Sequence, residues 1–189
     1  MIYMIPKMQQ LEQHLLDGDL VSIYRTGIDD HQIQGFVLAA SPALVLLQYV
    51  YDFRLDGLMA LRIEDITQIE VTATDRLQKQ LITDEGLAHQ SPLTEQFNAV
   101  SWRELISSLS PANSLMILEC EAGEFNDFVI GKICQINGES LQIRTFSGTG
   151  EWADVTTELH YEDITCCQVG TNYANVYQRY FERLASNQN

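Results

Sequence analysis

Two stretches of this chain, residues 6–81 and 100–179, carry the same order of apolar and polar positions. Leu61-Arg62-Ile63-Glu64-Asp65-Ile66-Thr67 lies over Leu159-His160-Tyr161-Glu162-Asp163-Ile164-Thr165, 98 residues later. Gly35-Phe36-Val37-Leu38 lies over Gly131-Lys132-Ile133-Cys134, at an offset of 96. Leu20-Val21-Ser22-Ile23 lies over Leu115-Met116-Ile117-Leu118, at an offset of 95. Small loop insertions account for the drift. Identity is low outside Glu-Asp-Ile-Thr, so the apolar pattern carries the match. Such self-similarity predicts a tandem duplication of one small unit. A length of 189 residues is enough for two small domains.

Each unit opens with a short helix. Met4, Met8, Leu11 and Leu15 recur at helical spacing in the first, and Asp17-Gly18 ends it. In the second, Ser101 and Glu104 form a capping-box pattern. Trp102, Leu105, Ile106 and Leu109 make its apolar face, and Pro111 stops it. Five strands follow in each unit, because β-branched and aromatic runs alternate with turn residues. They are expected near 19–25, 32–40, 43–50, 57–63 and 66–71, then near 114–121, 127–137, 140–146, 153–161 and 164–169. A helix closes each unit. The first runs roughly from Thr74 to Leu81; the second carries Tyr173, Val176, Tyr177, Tyr180, Phe181 and Leu184 on one face. That aromatic face is expected to cover a barrel end or the interface between the units. The domain division is therefore 1–81, a linker over 82–99 with Gly86, Ser91 and Pro92, and 100–189.

This order of a helix and five short strands resembles the Sm-like small β-barrel superfamily. Gly35 and Gly131 match the glycine of its first motif, and Leu61-Arg62-Ile63-Glu64-Asp65-Ile66-Thr67-Gln68-Ile69 looks like its second. SH3-like barrels at large share the pattern. The resemblance implies a mainly β (α+β) protein: two tandem five-stranded Sm-like or SH3-like barrels, each flanked by short helices. It also implies a nucleotide pocket, and here the chain departs from the superfamily. The aspartate position of the first motif falls on Ser41 and Asn137, and the asparagine position on Val45 and Leu141. The glycine after the arginine is Ile63 in one unit and Tyr161 in the other. The arginine survives as Arg62, with His160 in its place in the second unit. Arg62 and His160 are therefore the RNA-binding candidates that the resemblance supplies.

Charge argues against that function. There are 26 acidic and 11 basic residues, a net charge of −15. Residues 1–94 hold 13 acids and 6 bases, and residues 95–189 hold 13 and 5, so both units repel phosphate. The balance suits a basic protein partner instead. The densest acidic stretch, Glu119, Glu121, Glu124 and Asp127, is the candidate docking patch. Its order does not match a calcium loop. Strand edges offer a second route, self-association.

Catalytic and metal motifs are not evident. His14, His31, His89 and His160 lie far from one another and from paired cysteines, so no metal or cofactor is expected. Asp29-Asp30, Asp52 with Asp56, and the recurring Glu64-Asp65 and Glu162-Asp163 read as loop and turn carboxylates. Nucleophile and phosphate-loop signatures are missing. An enzyme would have to use a site near His160, Cys166 and Cys167. Cys120, Cys134, Cys166 and Cys167 show no C-x-x-C spacing and read as free thiols of a cytoplasmic protein. The sequence lacks a membrane-spanning apolar run and opens without a signal-peptide pattern. The expectation is a non-catalytic, cytoplasmic interaction module that binds a protein partner, with a diverged RNA binder as the alternative.

Overall fold

The computed structural model describes residues 4–87, 97–109, 115–121 and 127–187. In the first half, α1 (Met4–Asp17) precedes β1 (Leu20–Tyr24), β2 (Ile33–Ala40), β3 (Leu44–Tyr51), β4 (Arg54–Arg62) and β5 (Gln68–Glu70), and α2 (Ala73–Asp84) follows. In the second half, α3 (Trp102–Leu109) precedes β6 (Leu115–Cys120), β7 (Asp127–Ile136), β8 (Ser140–Thr145), β9 (Thr157–His160) and β10 (Cys166–Val169), and α4 (Asn172–Ser186) follows. Pro111, His89, Ser91 and Pro92 lie outside the described residues.

The strands form one antiparallel sheet of ten, in the order β5-β1-β2-β3-β4-β10-β6-β7-β8-β9. This corrects the expectation of two closed five-stranded barrels, although the mainly-β class stands. A closed barrel would turn the outer edge of β4 back onto its own unit. That edge instead pairs with β10 of the other half, Leu58 to Leu61 opposite Val169 to Cys166. Exposed edges are costly. Here the inner pair is removed by joining the halves, while β5 and β9 remain as short outer edges.

The two halves use the same registers. Val21 faces Gly35 as Met116 faces Gly131, and Leu44 faces Arg62 as Ser140 faces His160. A bulge falls between Val37 and Ala39, and again between Ile133 and Gln135. The matched glycines have a steric reason. A Cβ on Gly35 would stand 2.7 Å from the Gln48 carbonyl oxygen, and one on Gly131 would stand 2.2 Å from that of Arg144.

The recurring Glu-Asp-Ile-Thr is explained by packing and hydrogen bonding. Ile66 and Ile164 are buried. The Thr67 hydroxyl donates to the Tyr24 carbonyl and accepts from the Thr26 N–H. The Thr165 hydroxyl does the same with the Glu119 carbonyl and the Glu121 N–H. Each threonine thus ties the last turn of its unit to the unit's first strand.

The core does not divide where the sequence does. One cluster joins Leu44, Leu46 and Ala60 of the first half to Trp102, Leu105, Met116, Leu141 and Cys167 of the second. Another packs Leu11 of α1 on first-half strands together with Cys166. α2 lies on β1 and α4 on β6. The α4 aromatics cover their own half: Phe146 sits 4.7 Å from Tyr177 and 5.0 Å from Phe181, ring centre to ring centre. α2 is longer than expected because Thr72 and Asp75 form a reciprocal capping box and the helix runs on to Asp84.

Candidate functional site

Two places bring chemistry-bearing residues of both halves together. The first is a buried ion network. Arg25 follows β1 and is 2% exposed. Its guanidinium grips Asp29 through Nε and Nη2, at 2.7 and 2.8 Å, and donates to Glu121 through Nη1 at 2.7 Å. The Thr165 hydroxyl lies 2.7 Å from the same Glu121 oxygen. Burial works against the Arg25 charge, and its bonds to Asp29 and Glu121 overcome this and hold it protonated. Arg25 lies one residue past β1 and Glu121 one residue past β6, so the pair links the two halves.

This network fixes the fate of the expected docking patch. Glu121 faces inward, with 8% of its side chain exposed. Glu119 is half-buried and accepts from the Gln168 amide at 2.6 Å. Burial pushes the Glu119 carboxyl above its usual value; Gln168 opposes this and the neighbouring Glu121 charge adds to it. Asp127 is exposed at the start of β7, opposite Cys120. Glu124 lies outside the described residues.

The second place is a cavity of about 390 Å³ at the mouth of the joint. Pro42, Leu44, Arg62 and Glu64 line it from the first half, and Trp102, Tyr161 and Glu162 from the second. Arg62 is held in a fork by Asp65, at 2.8 and 3.1 Å. Its Nη1 lies 3.1 Å from the Glu162 carbonyl and 3.3 Å from a Glu64 carboxylate oxygen. Trp102 is 6% exposed, and its indole N–H has no hydrogen-bond partner among the described residues. The sequence pattern marks Trp102 only as a core residue and does not reveal the cavity, because the walls come from four separate segments, at 42–44, 62–64, 101–102 and 161–162.

The positions implied by the Sm-like resemblance are occupied differently. Val45, Leu141 and Ile63 are fully buried apolar plugs. The Ser41 hydroxyl donates to the Ala99 carbonyl and accepts from the N–H groups of Ala43 and Leu44. The Asn137 side chain accepts from Gln135. His160 is exposed on β9, and it is not among the residues lining the cavity with Arg62.

The remaining candidates are dispersed. Cys166 and Cys167 are buried on β10, with burial pushing the first thiol well up and the second to about 12. Cys120 is raised to about 11, also by burial, and Cys134 is exposed. Thiols held protonated in this way are poor nucleophiles. Asp56 accepts the Asn172 N–H at the start of α4, a favourable place for a carboxylate. Among the described residues, no group of three His, Cys, Asp or Glu is placed to hold a metal ion, and no helix is long and apolar enough to cross a membrane. Comparison with family models, curated proteins and solved structures finds no match.

Proposed function

We propose that this chain is a duplicated, non-catalytic module of the cytoplasm that binds a basic protein partner. The observation that carries this reading is the charge surplus. If every one of the 11 bases were paired with a carboxylate, 15 of the 26 acids would still lack a basic partner. Arg25, Arg62 and Lys79 lie in ion pairs within the fold, and the net charge of −15 remains after every base is counted. A field of this sign speeds encounter with basic proteins and repels nucleic acid. Buried free thiols fit a reducing compartment.

The other readings have weaker support. RNA binding through Arg62 would compete with Asp65 and Glu64, which already surround its guanidinium. Edge-to-edge association would use β5 and β9, which are three and four residues long and carry Glu70 and Glu158. Short, acidic edges discourage addition of a like strand.

The test is affinity capture at low salt from lysate of the source cell, with and without nuclease. A basic protein retained after nuclease treatment, and released as salt is raised, is the expected result. Recovery of RNA alone, lost in Arg62→Ala, would replace this reading with the RNA-binding one.

A further inference from the structure

We propose that the cavity between the halves receives an arginine side chain of the protein partner. This rests on the reading of the chain as an acidic protein-binding module and assigns that module a contact point. The volume of about 390 Å³ falls in the range of small-ligand sites. Pro42, Leu44, Trp102 and Tyr161 give it an apolar and partly aromatic wall, the surface that a methylene stem packs on and a planar guanidinium stacks against.

The charges at the rim select a cation. Arg62 is the cationic lining residue, and Asp65 matches its charge in a bidentate fork. Glu64 also lies 3.3 Å from Arg62 but has 69% of its side chain exposed, and Glu162 is exposed as well. Three acidic residues, Glu64, Asp65 and Glu162, thus stand at this site against one guanidinium, which meets the first two through their carboxylates and Glu162 through its backbone carbonyl. The start of α3 also faces the cavity through Ser101, and a bare helix start would favour an anion. This one is already served: the Ser101 hydroxyl accepts the Glu104 N–H, and Glu104 supplies an acid in the first turn. An incoming guanidinium can fork onto Glu64 and Glu162 as charge-assisted hydrogen bonds. Because four lining residues come from one half and the rest from the other, neither half alone holds the site.

The indole N–H of Trp102 is the reporter, read by NMR on nitrogen-15-labelled full chain and assigned against Trp152→Phe. The probe is Nα-acetyl-arginine amide, with the citrulline, lysine and glutamate analogues as controls. The arginine probe is expected to shift the Trp102 signal saturably, ahead of lysine, while citrulline and glutamate leave it in place. Glu64→Gln combined with Glu162→Gln is expected to weaken binding roughly tenfold with the rest of the spectrum retained. No saturable shift, an equal shift with citrulline, a larger one with lysine or glutamate, or unchanged affinity in the double variant would overturn the assignment. Capture with the double variant separates the two claims. Undiminished recovery of the basic partner alongside a failed probe experiment removes the cavity assignment and leaves the module reading standing. If the native chain retains no protein, the module reading itself fails.

Discussion

Arg25 and Glu121 differ from their counterparts in the repeat, and the difference is what couples the halves. The registers set Thr26 where the second half has Glu121, and Cys120 where the first half has Arg25. A buried charge without its partner is expensive, more so than the pair is worth. Arg25→Met should therefore destabilise the chain by about 3 kcal/mol in urea unfolding. Adding Glu121→Leu should recover most of the loss, because Asp29 can be hydrated and Thr165 keeps the Glu119 carbonyl. A second titration effect sits beside this pair. The Glu119 carboxyl is raised above its ordinary 4.5, so the folded state binds its proton more tightly than the unfolded state. Its stabilising contribution is present below pH 4.5 and is lost as pH rises through the raised value. Glu119→Gln, which keeps an acceptor for Gln168, should make the protein more stable at neutral pH. The gain should shrink to nothing below pH 4.5 when unfolding is followed across a pH series.

The elements were largely legible because their signals are local. The strand runs, the helical face at Trp102, Leu105, Ile106 and Leu109, and the glycines at 35 and 131 all act over a few residues. The β3–β4 hairpin was less clear for the same reason. Its tip is Asp52-Phe53, with φ of 46° and 63°, in the left-handed region that asparagine and glycine usually occupy. No Asn-Gly marks it, so the sequence pattern separates the strands, at 43–50 and 57–63, whereas the chain turns tightly between Tyr51 and Arg54. Phe53 is 46% exposed, so little packing offsets the conformational cost. Phe53→Gly should raise stability by about 1 kcal/mol, measured as a higher denaturation midpoint with an unchanged slope. A fall in stability would mean that the ring packs in a way its exposure conceals. β9 runs Thr157–His160, starting four residues after the expected 153 and ending one before the expected 161. Val155 and Thr156 are good strand formers, but Trp152 turns aside to bridge Phe146 and pack on Phe181.

At the scale of the whole molecule, the repeat predicts two separate cores, and the chain instead builds buried clusters that cross between the halves. A pattern of apolar positions says which face is buried, not against which copy, so Leu58 to Leu61 and Cys166 to Val169 read as the edges of separate barrels. Their pairing needs a contact about 100 residues apart in sequence, which local periodicity does not encode. The cavity is hidden for the same reason, and Glu121 looks like a surface acid in sequence because its partner, Arg25, is in the other half. The shared core has an energetic consequence. Leu44, Leu46 and Ala60 share a buried cluster with second-half residues, and Cys166 shares one with the first half, so neither half can open without exposing apolar surface of the other. The two should therefore unfold together despite their repeated architecture. Native-state hydrogen exchange tests this directly. The most protected amides of β2 and β3 and those of β7 and β8 should open with the same free energy and respond alike to denaturant. A first half that opens at lower free energy, while β7 and β8 remain protected, would mean that the joint between β4 and β10 is a docking contact between independent domains. In that case Arg25→Met would loosen the docking and leave the stability of each half nearly unchanged, the opposite of what the buried network predicts.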